Sequence, residues 1–197
     1  DLPQIFFTSA DAVATLHDLE LTKDLTNLLP DDLTAEFANG VLDSCKLGDE
    51  IAYFPVALQP QAIIYRKDRF KEAGLEIPKT WDEFVECAKA LTKDTDGDGE
   101  VDQWGFGMVG SNNSSGQSRF MSYLWSNGVD CVTDTDGKWD TDLKADNKTF
   151  TDAFEKWTKM NDDGIVPIGI TEVDYPTAAN YFAMGYTSMF MTGSNAL

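Results

Sequence analysis

The segment Asp94-Thr95-Asp96-Gly97-Asp98-Gly99-Glu100-Val101-Asp102 puts carboxylates at loop positions 1, 3, 5 and 9 and Gly99 at position 6, the ligand spacing of an EF-hand calcium loop. A hard divalent cation takes roughly six to eight oxygens, which alternate residues of a tight loop can turn toward one point while the Glu100 carbonyl serves as the next ligand. Position 12 is Gly105, so the usual bidentate carboxylate is missing and water or a distant acid must complete the sphere. Two readings stand: a structural Ca2+ site on Asp94, Asp96, Asp98, Glu100 and Asp102, or a solvated acidic turn between a helix and a strand. A second acidic group, Asp134, Asp136, Asp140 and Asp142, flanks a hairpin turn and lacks the metal spacing.

Other chemistries find little support. His17 is the single histidine, without a second imidazole for zinc or a nucleophile motif for a triad. Cys45, Cys87 and Cys131 form no CxxC pair and read as small buried apolar residues, the odd count leaving at least one thiol free or paired between chains. With 34 Asp+Glu against 15 Lys+Arg in 197 residues, the net charge of −19 argues against nucleic acid as a partner. A hydrophobic content of 42% is enough for one or two packed cores. The longest apolar run, Ile51 to Leu58, is broken by Pro55 and is far short of the roughly eighteen residues of a membrane helix.

The elements that must position these residues alternate between strand and helix, so the fold class is α/β. Pro3 to Thr8 reads as a buried strand, followed by a helix capped by Ser9 or Asp11, and a helix is expected from Asp31 to Cys45. Glu50 to Tyr65 reads as two strands joined by a polar crossing at Gln59, Pro60 and Gln61. Thr80 and Glu83 form a capping box for a helix with Trp81, Phe84, Val85, Ala88 and Leu91 on one face. Gly105 to Val109 reads as a strand, Asn112 to Gly116 as a loop, and Gln117 to Asn127 as a helix stopped by Gly128. Asp136-Gly137 marks the hairpin turn, Asn147 to Asn161 an amphipathic helix, Pro176 a helix start ending near Gly185, and Tyr186 to Met191 a strand. Tyr123, Trp125, Tyr175 and Tyr181 fall near helix ends, where rings either stack on a flat ligand such as a sugar or pack into the core.

The order IAYFPVALQPQAIIYRKDRFKEAGLEIPKTWDEFVECAKALT, DTDGDGEVDQWGFG, SYLWSNGVDCVTDTDGKW and DYPTAANYFAMGYTSMFMTGSNAL resembles the extracellular solute-binding proteins of sugar ABC transporters, the group that includes maltose-binding protein. Tyr65, Lys67, Asp68, Phe70, Gly74, Pro78, Thr80 and Trp81 carry its most specific part. The resemblance implies a periplasmic-binding-protein type II fold of two lobes that closes on a mono- or oligosaccharide and delivers it to a membrane permease, with no catalysis. It implies residues 1–57 as a partial lobe one and 58–197 as most of lobe two, the structure being incomplete, because two lobes want about 300 to 400 residues. It implies an extracytoplasmic location, in the periplasm or on a lipid anchor at the cell surface, any targeting segment having been removed or lying outside a sequence that opens at Asp1.

Site roles transfer only to matching positions. They fall on Asp11 after the first strand, Gln59 with Gln61 at the crossing, and Tyr175 at a helix start. Asn195 stands where the family's GSWAL carries a cleft Trp, and Thr8 where maltose binders often place an aromatic, which points to a different or smaller glycoside. Two other functions are weighed against this one: a glycoside hydrolase, which needs a convergent carboxyl pair, and a calcium-stabilised interaction module, which needs no sugar-sized cleft.

Overall fold

The computed structural model describes residues 3–8, 10–57, 59–135 and 138–193, and the chain divides into two compact units, 1–58 and 59–197. In the first, α1 (Ala10–Asp18) and the single turn α2 (Asp31–Thr34) accompany a hairpin of β1 (Lys46–Leu47) and β2 (Glu50–Ile51). Val13, Val41, Cys45, Ile51 and Ala52 are buried. The Ile51 carbonyl accepts the Leu25 N–H at 2.9 Å, and the Ile51 N–H donates to Thr26 Oγ1 at 3.0 Å.

Three expectations fail here. Pro3 to Thr8 forms no strand; Ile5 and Phe7 are 86% and 85% exposed, and none of the described strands pairs with this segment. Asp11 is not the cap of α1 but lies in its first turn, and Ser9 lies outside the described residues. The helix expected from Asp31 to Cys45 ends after one turn. Turns follow from residue 35, Gly40 with its φ of 83° bars a helix from resuming through this stretch, and only a 3-10 turn, Asp43–Cys45, follows.

The second unit is built around a three-stranded sheet in the order β3 (Gln61–Tyr65), β7 (Thr187–Gly193), β4 (Trp104–Gly107). β7 runs antiparallel to β3 and parallel to β4, and all its residues are buried. Its alternation sorts two cores. Met189 and Met191 join the larger one, with Phe84, Ala88 and Leu91 of α4 (Trp81–Leu91), Tyr123 of α5 (Ser114–Ser126), and Trp157 and Met160 of α6 (Lys148–Asp162). Phe190 joins the smaller one, with Ala178 of α7 (Tyr175–Met184), Val109 and Val173. A short hairpin, β5 (Thr133–Thr135) and β6 (Lys138–Asp140), lies between α5 and α6, its Asp136-Gly137 turn falling outside the described residues.

Local chemistry sets the helix ends. Thr80 Oγ1 accepts the Glu83 N–H at 3.2 Å, and the Glu83 carboxylate accepts in return from the Lys79 N–H rather than from Thr80 itself. Asn113 caps α5 by accepting from the N–H groups of Ser115 and Gly116, so that helix begins inside the stretch read as a loop. At the far end of α7, Gly185 takes a φ of 86°, and the two arginines of the RKDRF segment cover the last carbonyls. α3 (Lys67–Ala73) carries Arg69, whose Nη2 donates to the Gly185 carbonyl at 2.6 Å, while Arg66 just before it donates to the carbonyls of Phe182 and Ala183.

Candidate functional site

Because β4 and β7 are parallel, their carboxyl ends share one edge of the sheet, where open α/β sheets form ligand crevices. Two helices start at that edge. α5 follows β4, and α7 starts at Tyr175, whose hydroxyl lies 3.0 Å from Thr192 Oγ1 near the end of β7. The Val173 carbonyl accepts the N–H groups of Gly110 and Ser111, fastening the loop after β4 to the entry of α7. A groove of about 530 Å³ opens here, with Ser111, Asn112, Asn113 and Gln117 on its polar side and Phe120, Phe154 and Trp157 on its apolar side. Among the described residues, none of those lining it is Asp or Glu.

Within this frame, Tyr175 stands at the edge, half-buried and tilted against Phe190. Gln61, the first residue of β3, pairs with Gly193 at the same edge and is exposed, as is Gln59. Tyr123 is corrected to a core residue: it is fully buried, and its hydroxyl donates to the Ala153 carbonyl at 2.9 Å, leaving no ring face for a ligand. Burial pushes its phenol well above the usual range. Trp125, 55% exposed, sits in the last turn of α5, about 17 Å along the axis from the helix start at the groove. Tyr181 packs edge-to-face on Tyr186, ahead of the amino end of β7. Asp11 belongs to the first unit, and Asn195 lies outside the described residues.

Arg119, which the sequence did not single out, lies beside Tyr175 but is not among the residues lining the groove. It is 8% exposed, and its guanidinium lies over the Tyr175 ring at 4.4 Å. Its Nη1 donates to the Ser115 carbonyl and to Ser118 Oγ, both at 3.0 Å, while Nε is buried without a partner among the described residues. Burial draws its pKa down and the nearby Tyr175 phenol acts the other way. The signal that could have found it is its isolation: α5 contains no other charged residue. Ser111 Oγ is a further buried polar atom at the groove without a partner among the described residues.

The acidic loop lies before β4, at the end of the sheet opposite the groove. Carboxylate oxygens of Asp94, Asp96 and Asp102 all come within 4.8 Å of one another, whereas Asp98 and Glu100 are not part of that convergence. Asp94 accepts from the N–H groups of Gly97 and Gly99 at 2.6 and 2.8 Å, bonds that hold its carboxyl below the usual range, the Gly99 one most.

A sheet of this order, with helices on both faces and a groove at the carboxyl edge, belongs to the periplasmic-binding-protein type II class. The chain matches the bacterial extracellular solute-binding protein family over residues 2–196 and belongs to it. Among curated relatives, the fructooligosaccharide ABC transporter substrate-binding protein FusA of Streptococcus pneumoniae is 28% identical over 142 residues, 66% of this chain and 26% of that protein. A solute-binding protein from Agrobacterium radiobacter in complex with ribitol superposes with a TM-score of 0.78 at 24% identity, over 95% of this chain and 45% of its own. One from Thermotoga lettingae bound with alpha-D-tagatose gives 0.78 at 20% identity, over 93% and 46%. The chain thus spans about a quarter of that curated relative and just under half of these solved ones.

Proposed function

We propose that this protein captures a mono- or oligosaccharide at the carboxyl-edge groove of its second unit and delivers it to the membrane permease of an ABC importer, working outside the cytoplasm, free or lipid-anchored. The observation that carries this reading is the groove itself, a polar loop facing aromatic rings, which suits a ligand with hydroxyls on its rim and C–H faces on its flats. FusA and the two solved relatives, with their sugar and polyol ligands, agree with it.

Binding proceeds without turnover. Glycoside hydrolysis would need two carboxyl groups about 5 to 9.5 Å apart, whereas the groove residues among those described are neutral, which favours binding over turnover. Calorimetric titration against a saccharide panel tests the proposal, together with an assay for released reducing sugar. Saturable heat without product is expected; sugar release, or heat from none of the panel, would sink it.

A second reading concerns the loop at the other end of the sheet. We propose that Asp94, Asp96 and Asp102 hold a structural Ca2+, because their oxygens already converge and are the hard anionic donors this ion selects. When bound, the ion would neutralise the crowded charge of the loop.

A further inference from the structure

Asparagine followed by glycine occurs at Asn39-Gly40 and at Asn127-Gly128, and the fold treats the two pairs in opposite ways. The pairing matters chemically. A glycine carries no side chain to keep its nitrogen away from the asparagine side-chain carbonyl carbon, so this dipeptide closes on itself more readily than others. Asn127 is shielded from that reaction. Its Nδ2 donates to the Tyr123 carbonyl at 2.8 Å and the Gly128 N–H donates to the Trp125 carbonyl at 3.0 Å, both bonds closing the end of α5. Electrophile and nucleophile are each held in place. Asn39 and Gly40 are exposed, and among the described residues neither the Asn39 side chain nor the Gly40 N–H has a hydrogen-bond partner. The turn closes around them instead, the Val41 N–H donating to the Ala38 carbonyl at 3.2 Å. Gly40 has open space where a Cβ would stand, so solvent water reaches the pair.

We infer that Asn39-Gly40 is a site of spontaneous covalent modification, deamidation through a succinimide, while the fold keeps Asn127-Gly128 intact. The Gly40 nitrogen attacks Cγ of Asn39 and gives up its proton; the N–Cγ bond forms, the Cγ–Nδ2 bond breaks, and ammonia leaves with that proton. Nothing is oxidised or reduced. Solvent water then opens the ring, at Cγ to give aspartate or at the Asn39 main-chain carbonyl carbon to give isoaspartate. Either product adds a carboxylate to a chain of net charge −19. Isoaspartate also lengthens the main chain inside the turn that leads to buried Val41, whose carbonyl accepts from Ser44 Oγ and Cys45 Sγ. The modification falls at the entry to the core of the first unit.

The test incubates the full chain in mildly alkaline buffer, with and without urea, and follows both asparagines by peptide mapping and mass spectrometry, which resolve amide, aspartate and isoaspartate. Circular dichroism establishes that the urea-free sample is folded. There Asn39 should convert at least about tenfold faster than Asn127, the slowing that two hydrogen bonds of ordinary net strength impose. In urea the two rates should come within about threefold of each other, because the protection belongs to the fold. Since no sugar enters the measurement, its outcome is independent of the saccharide-binding reading. Comparable rates in the folded chain, faster conversion of Asn127, or an Asn39 that converts only in urea would overturn the inference.

Discussion

Gly105 of β4 lies directly against the backbone carbonyl of Ala88 in α4, so close that a Cβ on Gly105 would overlap that oxygen. Helix and strand touch here through their main chains, with Ala88 fully buried on the helix side. Gly105→Ala therefore forces the two elements apart and should destabilise the protein by more than about 3 kcal/mol in urea denaturation. A loss under 1 kcal/mol would mean that α4 can shift at no great cost.

The same junction carries a hydrogen-bond relay. Thr92 Oγ1 donates to the Ala88 carbonyl at 2.8 Å and accepts the Gly105 N–H at 2.9 Å. Thr92→Val keeps the shape and strands that N–H, a change expected to cost about 1–3 kcal/mol. Thr92→Ser should recover most of it, a contrast that separates the hydroxyl from the methyl group.

Adding Ca2+ should raise the melting temperature, because an ion bound by the native state alone stabilises it by mass action. Asp96→Ala should remove the increase. Identical melts in calcium and in chelator would rule out the proposed metal site.

Acid should weaken the fold through named carboxylates. The pKa of Asp94 is lowered by backbone N–H bonds, and that of Asp174 by the Thr177 hydroxyl and N–H. A carboxyl with a depressed native pKa stabilises above its unfolded value of about 3.9, and the contribution disappears as pH falls through the native value. Denaturation midpoints should therefore drop between about pH 5 and pH 2, with a smaller drop in Asp174→Asn. An unchanged slope in that variant would assign the acid sensitivity elsewhere.

Cys45, Cys87 and Cys131 are free and buried, and burial pushes the thiols of Cys87 and Cys131 up. A thiol reagent at neutral pH should find them unreactive in the native protein and reactive in denaturant. Fast labelling of the folded chain would contradict the packing described.

The parts of the fold that could be read from the residues are those whose signals are local. Thr80 with Glu83, Asn147, and Pro176 with Gly185 each mark a helix boundary by chemistry within one turn, and α4, α6 and α7 stand there. The apolar content of Pro3 to Thr8 resembled a strand, but a strand exists only with a neighbour, and that information is not in the segment. Likewise Leu33, Phe37 and Val41 kept helical spacing across Asn39-Gly40, whose turn chemistry outweighed it. At the site, Tyr175 was legible as an aromatic at a helix start. Tyr123 had the same local signature and went to the core, because both helices start at the groove and Tyr123 sits near the far end of α5 while Tyr175 opens α7. Arg119 escaped notice since a lone cation on a helix reads as surface until the Tyr175 ring is placed over it.

The central position of β7 has a consequence for synthesis. Tyr65 must wait for Met189 to emerge from the ribosome before its ladder can close, and Phe106 waits for the same residue. At roughly 5–20 residues per second, β3 and β4 spend seconds as open edges flanking an empty slot. The nascent second unit is therefore a late folder, with its helices able to form before its sheet.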